Sequence, residues 1–319
     1  GSFRSSASPF IAIRTDLESF VVIEKINEGY SGDDKYKVQK DGKFFLLRVG
    51  DLTKATEKEA EYNQLMLYAD KEINTQKPIT FGRTNDKFYS IVTWVDGTPI
   101  MDIIKEDDSL DYYQLGHNVG VELKKLHCAS RGEDKTDWMD VIEKRATSFL
   151  EKFHSLNIEE FACSRYAEQY ILKNMSLMAE RPQVMLHGDF HWNNCVVDDN
   201  DSVGIIDFSG NDIGDPWYEF GGLLWALEFS YSFANGQIDG YFGTPPSEFW
   251  KVFKFYVALY AFEHLSLAFP RFLRFFLMIQ EYFHSDQQFL FLANLEVHFY
   301  LEQSKLSLSP ESYFEILSD

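Results

Sequence analysis

The apolar pattern of this chain changes character near Asp96-Gly97-Thr98-Pro99, and that change restricts the available folds more than any other feature. Before it, short alternating segments are separated by turn formers. Residues 20–26 are apolar and β-branched, 35–39 read as a strand, Asp41-Gly42 is a hairpin turn signal and 43–49 form the return strand. Residues 53–70 take helical spacing, with Tyr62, Leu65 and Ala69 able to share a face, and 79–82 and 87–95 revert to strand. A mostly antiparallel sheet with one helix against it is predicted. Beyond residue 99 the chain reads as helical. Residues 112–126 carry Leu115, Val119, Leu123 and Leu126 on one stripe, and 138–153 and 159–178 follow as helices. Short strands are predicted at 184–186, 195–197 and 203–207, then helix from Pro216 to about Ser304. The expected class is α+β, with a small lobe at 1–94, a connector at 95–98 and a large lobe at 99–319. A crevice between two lobes is a common ligand site.

Composition narrows the partners. With 319 residues, 45% of them hydrophobic, the chain can bury a sizeable core, and its formal charge is −20. Such a surface repels nucleic-acid phosphates and anionic lipid headgroups and attracts a cationic small molecule. Neither a nucleic-acid nor a membrane partner is expected. Cys128, Cys163 and Cys195 are widely spaced without a CxxC, so they read as small buried apolar residues in a reducing compartment, with no zinc site. Gly1-Ser2 reads as a vector-derived remnant, no signal peptide is visible, and a cytoplasmic location is expected. Residues 220–233 and 252–283 are the most apolar, but Glu228, Lys254, Glu263, Arg271 and Arg274 interrupt them short of the ~20 residues of a membrane span.

Chemistry concentrates between Val184 and Phe220. Asn194 follows Asp189 by five positions and Asp207 follows it by eighteen, at the end of a short apolar strand. A loop and a two-stranded hairpin fit in that interval, and Val203-Gly204-Ile205-Ile206 would return Asp207 to the side of Asn194. One carboxylate can accept a hydroxyl proton while a carboxylate and an amide hold magnesium on a nucleotide. No Walker A loop is present.

His187-Gly188-Asp189 with Asn194, then Ile206-Asp207-Phe208, then Gly214-Asp215-Pro216 and Glu219-Phe220, stand in a specific order and spacing. Through them the chain resembles the aminoglycoside phosphotransferase and choline kinase-like family, within the protein kinase-like superfamily. The likeness is strongest over 184–222, weakest after about 230, and extends to the lobe order. It implies a bilobal protein kinase-like fold and transfer of the γ-phosphate of ATP or GTP to a small-molecule hydroxyl. It further implies that Asp189 is the catalytic base, that Asn194 and Asp207 hold Mg2+, and that Asp215 braces the catalytic loop. Loop 27–34 would cover the phosphates; with only Gly29 and Gly32 it is not a GxGxxG, and Ser31 could donate to a phosphate. Where the family usually carries a strand Lys paired with a helix Glu, this chain offers Arg48, with Lys43 as an exposed alternative. Among Glu57, Glu59 and Glu61, the apolar pattern favours Glu61 as its partner. Backbone groups of Thr93 and Val95 would hold the adenine.

On the acceptor side the candidates are His191, which can touch substrate or scaffold the loop, Glu219, which can face the acceptor or stabilise a helix start, and Glu263. His187 is expected to pack and hydrogen-bond the loop. An aminoglycoside is one candidate acceptor; choline, a sugar or homoserine are others, and aromatic residues could receive a quaternary ammonium. A protein kinase of the same fold is a further alternative, although no Ala-Pro-Glu segment follows Asp207.

Overall fold

A computed structural model describes residues 17, 19–27, 32–106, 110–130, 137–156, 162–208, 213–227 and 230–263. Strands β1 (Val21–Ile26), β2 (Asp34–Lys40), β3 (Lys43–Asp51), β4 (Pro78–Arg83) and β5 (Lys87–Thr93) form an antiparallel sheet ordered β1-β2-β3-β5-β4. Period-two alternation sorts its faces. Tyr36, Val38, Leu47, Val49, Tyr89 and Ile91 bury one face with Leu17, while Leu46, Arg48, Ser90 and Val92 line a crevice on the other. Helix α1 (Ala55–Met66) follows a 3-10 turn, Leu52–Lys54, at whose start the Asp51 carboxylate accepts from the Thr53 amide at 2.9 Å. The helix stops at Met66, short of the expected residue 70.

The connector runs into β6 (Thr98–Pro99). The rest of the chain comprises α2 (Ile100–Glu106), α3 (Tyr112–Ala129), α4 (Trp138–Ser155), α5 (Ala162–Asn174), β7 (Val184–Met185), β8 (Cys195–Val197), β9 (Val203–Ile205), β10 (Ile213–Gly214), α6 (Leu223–Leu227), α7 (Tyr231–Phe242) and α8 (Phe249–Glu263). The helical expectation beyond residue 263 lies outside the described residues. Leu115, Val119, Leu123 and Leu126 are all buried, as the stripe on α3 predicts. Cys195 is buried but Cys128 is exposed, against expectation: it lies off that stripe, near the end of α3.

Two features position the site. The β8–β9 hairpin is held along both edges. β6 pairs with β8, while the Ile205 amide donates to the Asn74 carbonyl at 2.9 Å and the Thr75 hydroxyl donates to the Ile205 carbonyl at 2.7 Å. Gly97 permits the first of these contacts: its φ is 142°, and a Cβ there would meet the Val197 carbonyl oxygen at 2.8 Å. Secondly, α3 and α7 touch backbone to backbone. A Cβ on Gly116 or Gly120 would lie 2.0 or 2.1 Å from the carbonyl oxygens of Phe233 and Gln237. One on Gly236 or Gly240 would lie 2.1 or 2.0 Å from those of Tyr113 and His117. Two Gly-x-x-x-Gly pairs therefore mesh, as small residues do wherever helices approach this closely. Among the described residues no helix is long and apolar enough to cross a membrane.

Candidate active site

The segment after β7 is held by buried polar groups. Gln64 of α1 donates to the Leu186 carbonyl at 2.6 Å. His187 is fully buried, with Nε2 2.9 Å from the Ile206 carbonyl and Nδ1 3.3 Å from the Asp189 amide. One neutral tautomer serves both contacts, donating through Nε2 and accepting at Nδ1. Burial, which lowers the pKa of this imidazole, favours the same form. His187 thus ties the loop that carries Asp189 to the residue preceding Asp207.

Asn194 is buried at the end of a 3-10 turn, Trp192–Asn194. Its Nδ2 donates to the Asp189 carbonyl at 2.9 Å and to Asp189 Oδ2 at 3.3 Å, so Oδ1 remains as the acceptor of that amide. The hairpin then returns, and the Ile206 amide donates to the Asn194 carbonyl at 2.9 Å. Asp207 follows with φ 62°, a left-handed conformation uncommon outside glycine. The Asp189 side chain is 52% exposed, with His191 Nε2 3.5 Å from Oδ1. The hydrogen bond from His191 holds the Asp189 carboxyl below the usual range, against the opposing effect of burial. His191 Nδ1 also accepts from the Asn193 amide at 3.2 Å, so the ring props the loop while touching Asp189.

On the sheet side, Arg48 reaches Asp207 Oδ1 at 2.8 Å and Glu61 at 3.2 Å, and Lys58 donates to the other Glu61 oxygen at 2.6 Å. Burial pushes the Glu61 carboxyl up, with the Lys58 and Arg48 charges opposing. Burial would also raise Asp207, but Arg48 and Lys35 outweigh it and hold that carboxyl low. Lys43 is exposed. The Thr93 amide donates to the Lys77 carbonyl and its hydroxyl accepts from the Lys77 amide, both at 2.8 Å, and Val95 is half-buried in the connector. Ser31 lies outside the described residues. Sequence reasoning missed Lys35, whose Nζ lies 3.8 Å from Asp207 Oδ2; its register opposite Arg48 was the available signal.

Glu219 needs correcting as an acceptor-facing residue. It is 5% exposed and both oxygens are engaged, Oε1 by the Gly188 amide at 2.8 Å and Oε2 by His127 Nε2 at 2.7 Å. The other His127 nitrogen lies 3.0 Å from the Tyr241 hydroxyl, completing a buried strut from α7 to the loop. Asp215 is fully buried and accepts from Arg181 Nε at 2.6 Å, the Tyr256 hydroxyl at 2.7 Å and the Trp217 amide at 3.0 Å, fixing the chain where β7 pairs with β10. Glu263, at the end of α8, accepts from the Tyr218 hydroxyl at 3.0 Å, and Trp225 Nε1 donates to the Tyr260 hydroxyl at 2.9 Å. Burial raises the Tyr260 phenol, and the nearby Asp189 and Glu263 charges add to that rise.

Asn194 and Asp207 offer one amide oxygen and one carboxylate. Such hard donors fit magnesium, which completes its octahedron with phosphate and water. Among the described residues no group of three His, Cys, Asp or Glu is placed to hold a metal ion.

A family model described as the phosphotransferase enzyme family (APH) matches residues 22–250. Among curated proteins none matches the chain. A solved thermostable mutant of aminoglycoside phosphotransferase APH(4)-Ia, in ternary complex with AMP-PNP and hygromycin B, is similar with a TM-score of 0.62 at 15% identity, covering 83% of this chain and 94% of that one. The APH(3'')-Id enzyme from Streptomyces rimosus, in complex with ADP and streptomycin, gives 0.52 at 15% identity over 73% and 90%. An aminoglycoside-3'-phosphotransferase of type VIII gives 0.51 at 18% identity over 76% and 93%. These likenesses establish the kinase-like α+β fold. The family match spans more than half of the sequence, and the chain belongs to the phosphotransferase enzyme family.

Proposed function

We propose that this phosphotransferase moves the γ-phosphate of ATP or GTP to a hydroxyl of a small molecule, in the cytoplasm, with Asp189 as the base. The observation that carries this is the unbroken run of contacts from Asp189 through Asn194 and the hairpin to Asp207, Arg48 and Glu61. Asp189, ionised and half exposed, orients the acceptor hydroxyl and takes its proton. Arg48, steadied by Glu61, binds phosphate oxygens through its guanidinium fork. The Thr93 carbonyl and Val95 amide hold the purine edge, and Ser31 donates to a phosphate. Asn194 and Asp207 would hold magnesium, which supplies neutralisation of the charge on the transferring phosphoryl group. Phosphoryl transfer asks little more of a protein than this alignment and charge.

We assign the acceptor wall to Trp225, Tyr260, the Glu263 carboxylate and His191; Tyr218, hydrogen-bonded to Glu263, already has Arg145 5.4 Å from its ring centroid. Aromatic faces beside a carboxylate suit a cationic acceptor, and an aminoglycoside is our leading candidate. The same wall would also receive a choline-type amino alcohol. Nucleotide turnover measured against aminoglycosides, amino alcohols and sugars tests both. Stimulation by an aminoglycoside is expected; stimulation by none would remove that acceptor, and turnover unchanged in Asp189→Ala would remove the assigned base.

A further inference from the structure

Lys35 is the second residue of β2, directly after the loop expected over the phosphates. Its side chain is only 11% exposed, an enclosed position for a residue that ordinarily keeps its charged end in water. Strand register pairs it with Arg48 across β2 and β3, so the two cations share the crevice face. Together they bracket Asp207, with Arg48 2.8 Å from Oδ1 and Lys35 3.8 Å from Oδ2.

The two cations are held differently. Arg48 has Glu61 as a second partner at 3.2 Å. Among the described residues Lys35 makes its ion pair with Asp207 alone, at a separation too long for a hydrogen bond. A carboxylate that turns towards a divalent cation gives up part of its hold on neighbouring ammonium groups. Lys35 would then sit enclosed beside Arg48 with no carboxylate at ion-pair distance, only the more distant Asp33 still opposing its charge, a costly state unless an anion arrives with the metal. A nucleoside triphosphate is such an anion.

Resting on the phosphotransfer reading above, we propose that Lys35 is a phosphate-binding residue of the donor site: it balances Asp207 in the nucleotide-free protein and transfers to the β- or γ-phosphate oxygens when the magnesium nucleotide binds. Arg48 and Lys35 then grip the polyphosphate as a pair of cations from adjacent strands. The role adds a second cation to the one the sequence motif supplies.

Equilibrium binding separates this role from general support of the fold. Wild type, Lys35→Met and Lys35→Arg are titrated with the magnesium complex of AMP-PNP and with AMP, and in parallel with the guanine pair. Lys35→Met should weaken the triphosphate analogue about tenfold or more, the scale of a lost charge-assisted contact, and leave the monophosphate within about twofold. Lys35→Arg should retain most of the preference. Equal loss for both ligands, or none for either, overturns the role. Should Lys35→Met not fold, acylation of Lys35 in the wild type, mapped by mass spectrometry, carries the test. AMP-PNP with magnesium should protect it and AMP should not; equal labelling in both overturns the proposal. A wild-type protein that binds neither nucleotide series would instead overturn the phosphotransfer reading, and this role with it.

Discussion

Glu61 and Glu219 are both buried carboxylates, 7% and 5% exposed, yet one meets cations and the other meets an amide and an imidazole. Glu61 lies between Arg48 and Lys58, and Arg48 continues to Asp207, itself 43% exposed. Glu219 is enclosed by the Gly188 amide and by His127, which leans on Tyr241. The sheet side is thus a chain of ion pairs open to the crevice, whose members would, on the proposed reading, exchange one partner for a phosphate. The loop side is a set of directional hydrogen bonds in which a lost partner leaves a buried group unsatisfied. Binding and chemistry in this site rest on different kinds of interaction, so substitutions in the two regions should separate affinity from turnover and stability.

The sharpest division should come from Asp189→Ala, which removes the proposed proton acceptor and leaves both supports intact. Turnover should fall about a thousandfold, as for loss of a general base, with nucleotide affinity within about twofold of wild type. A parallel fall in affinity would place Asp189 on the nucleotide instead. Next in size, Glu219→Ala strips the Gly188 amide and His127 of their buried acceptor. About 3 kcal/mol of stability should be lost, visible in chemical denaturation, with turnover reduced and nucleotide affinity kept in the folded fraction. If this variant loses nucleotide affinity as Arg48→Met does, the two regions are not separable.

A smaller effect is expected for Arg48→Met on the open side. Affinity for the magnesium nucleotide should drop about tenfold, with a thermal midpoint lowered less than in Glu219→Ala, because Glu61 keeps Lys58 and Asp207 keeps Lys35 as partners. Arg48→Lys should recover only part of the affinity, since an ammonium cannot span Glu61 and a phosphate as a planar fork does. The mildest test is chemical. Burial pushes the Cys195 thiol up to about 12, so at pH 8 only roughly one part in ten thousand is thiolate. Iodoacetamide should modify exposed Cys128 in the native protein and spare Cys195 until denaturant is added. Rapid labelling of Cys195 would mean that the hairpin opens far more readily than its two tethered edges suggest.

Much of the framework could be read before any coordinates. The alternation in β2 and β3 and the Asp41-Gly42 turn between them are local signals, and Leu115, Val119, Leu123 and Leu126 marked the buried face of α3 by period alone. The return of Asp207 to the side of Asn194 was legible because a short hairpin leaves the chain few ways to return. Glu219 misled because a carboxylate one turn into a helix start has a plausible local role, whereas its partners, Gly188 and His127, come from distant segments. Lys35 was passed over within a strand that also carries Lys37 and Lys40, where charge reads as a solvated face; only strand register separates the enclosed lysine from the others. The meshing of Gly116 and Gly120 with Gly236 and Gly240 left a visible Gly-x-x-x-Gly trace in each helix, but which helix answered which could not be read from spacing.

The α3–α7 seam sets terms for anyone reshaping this scaffold. Four positions there admit no side chain at all, so neither selection nor a design library can trade volume across the seam, and a single added methyl has to be answered by moving a whole helix. On the proposed acceptor side, new preferences are better sought on α6 and α8, where Trp225 and Tyr260 offer atoms to exchange, than on the glycine joint.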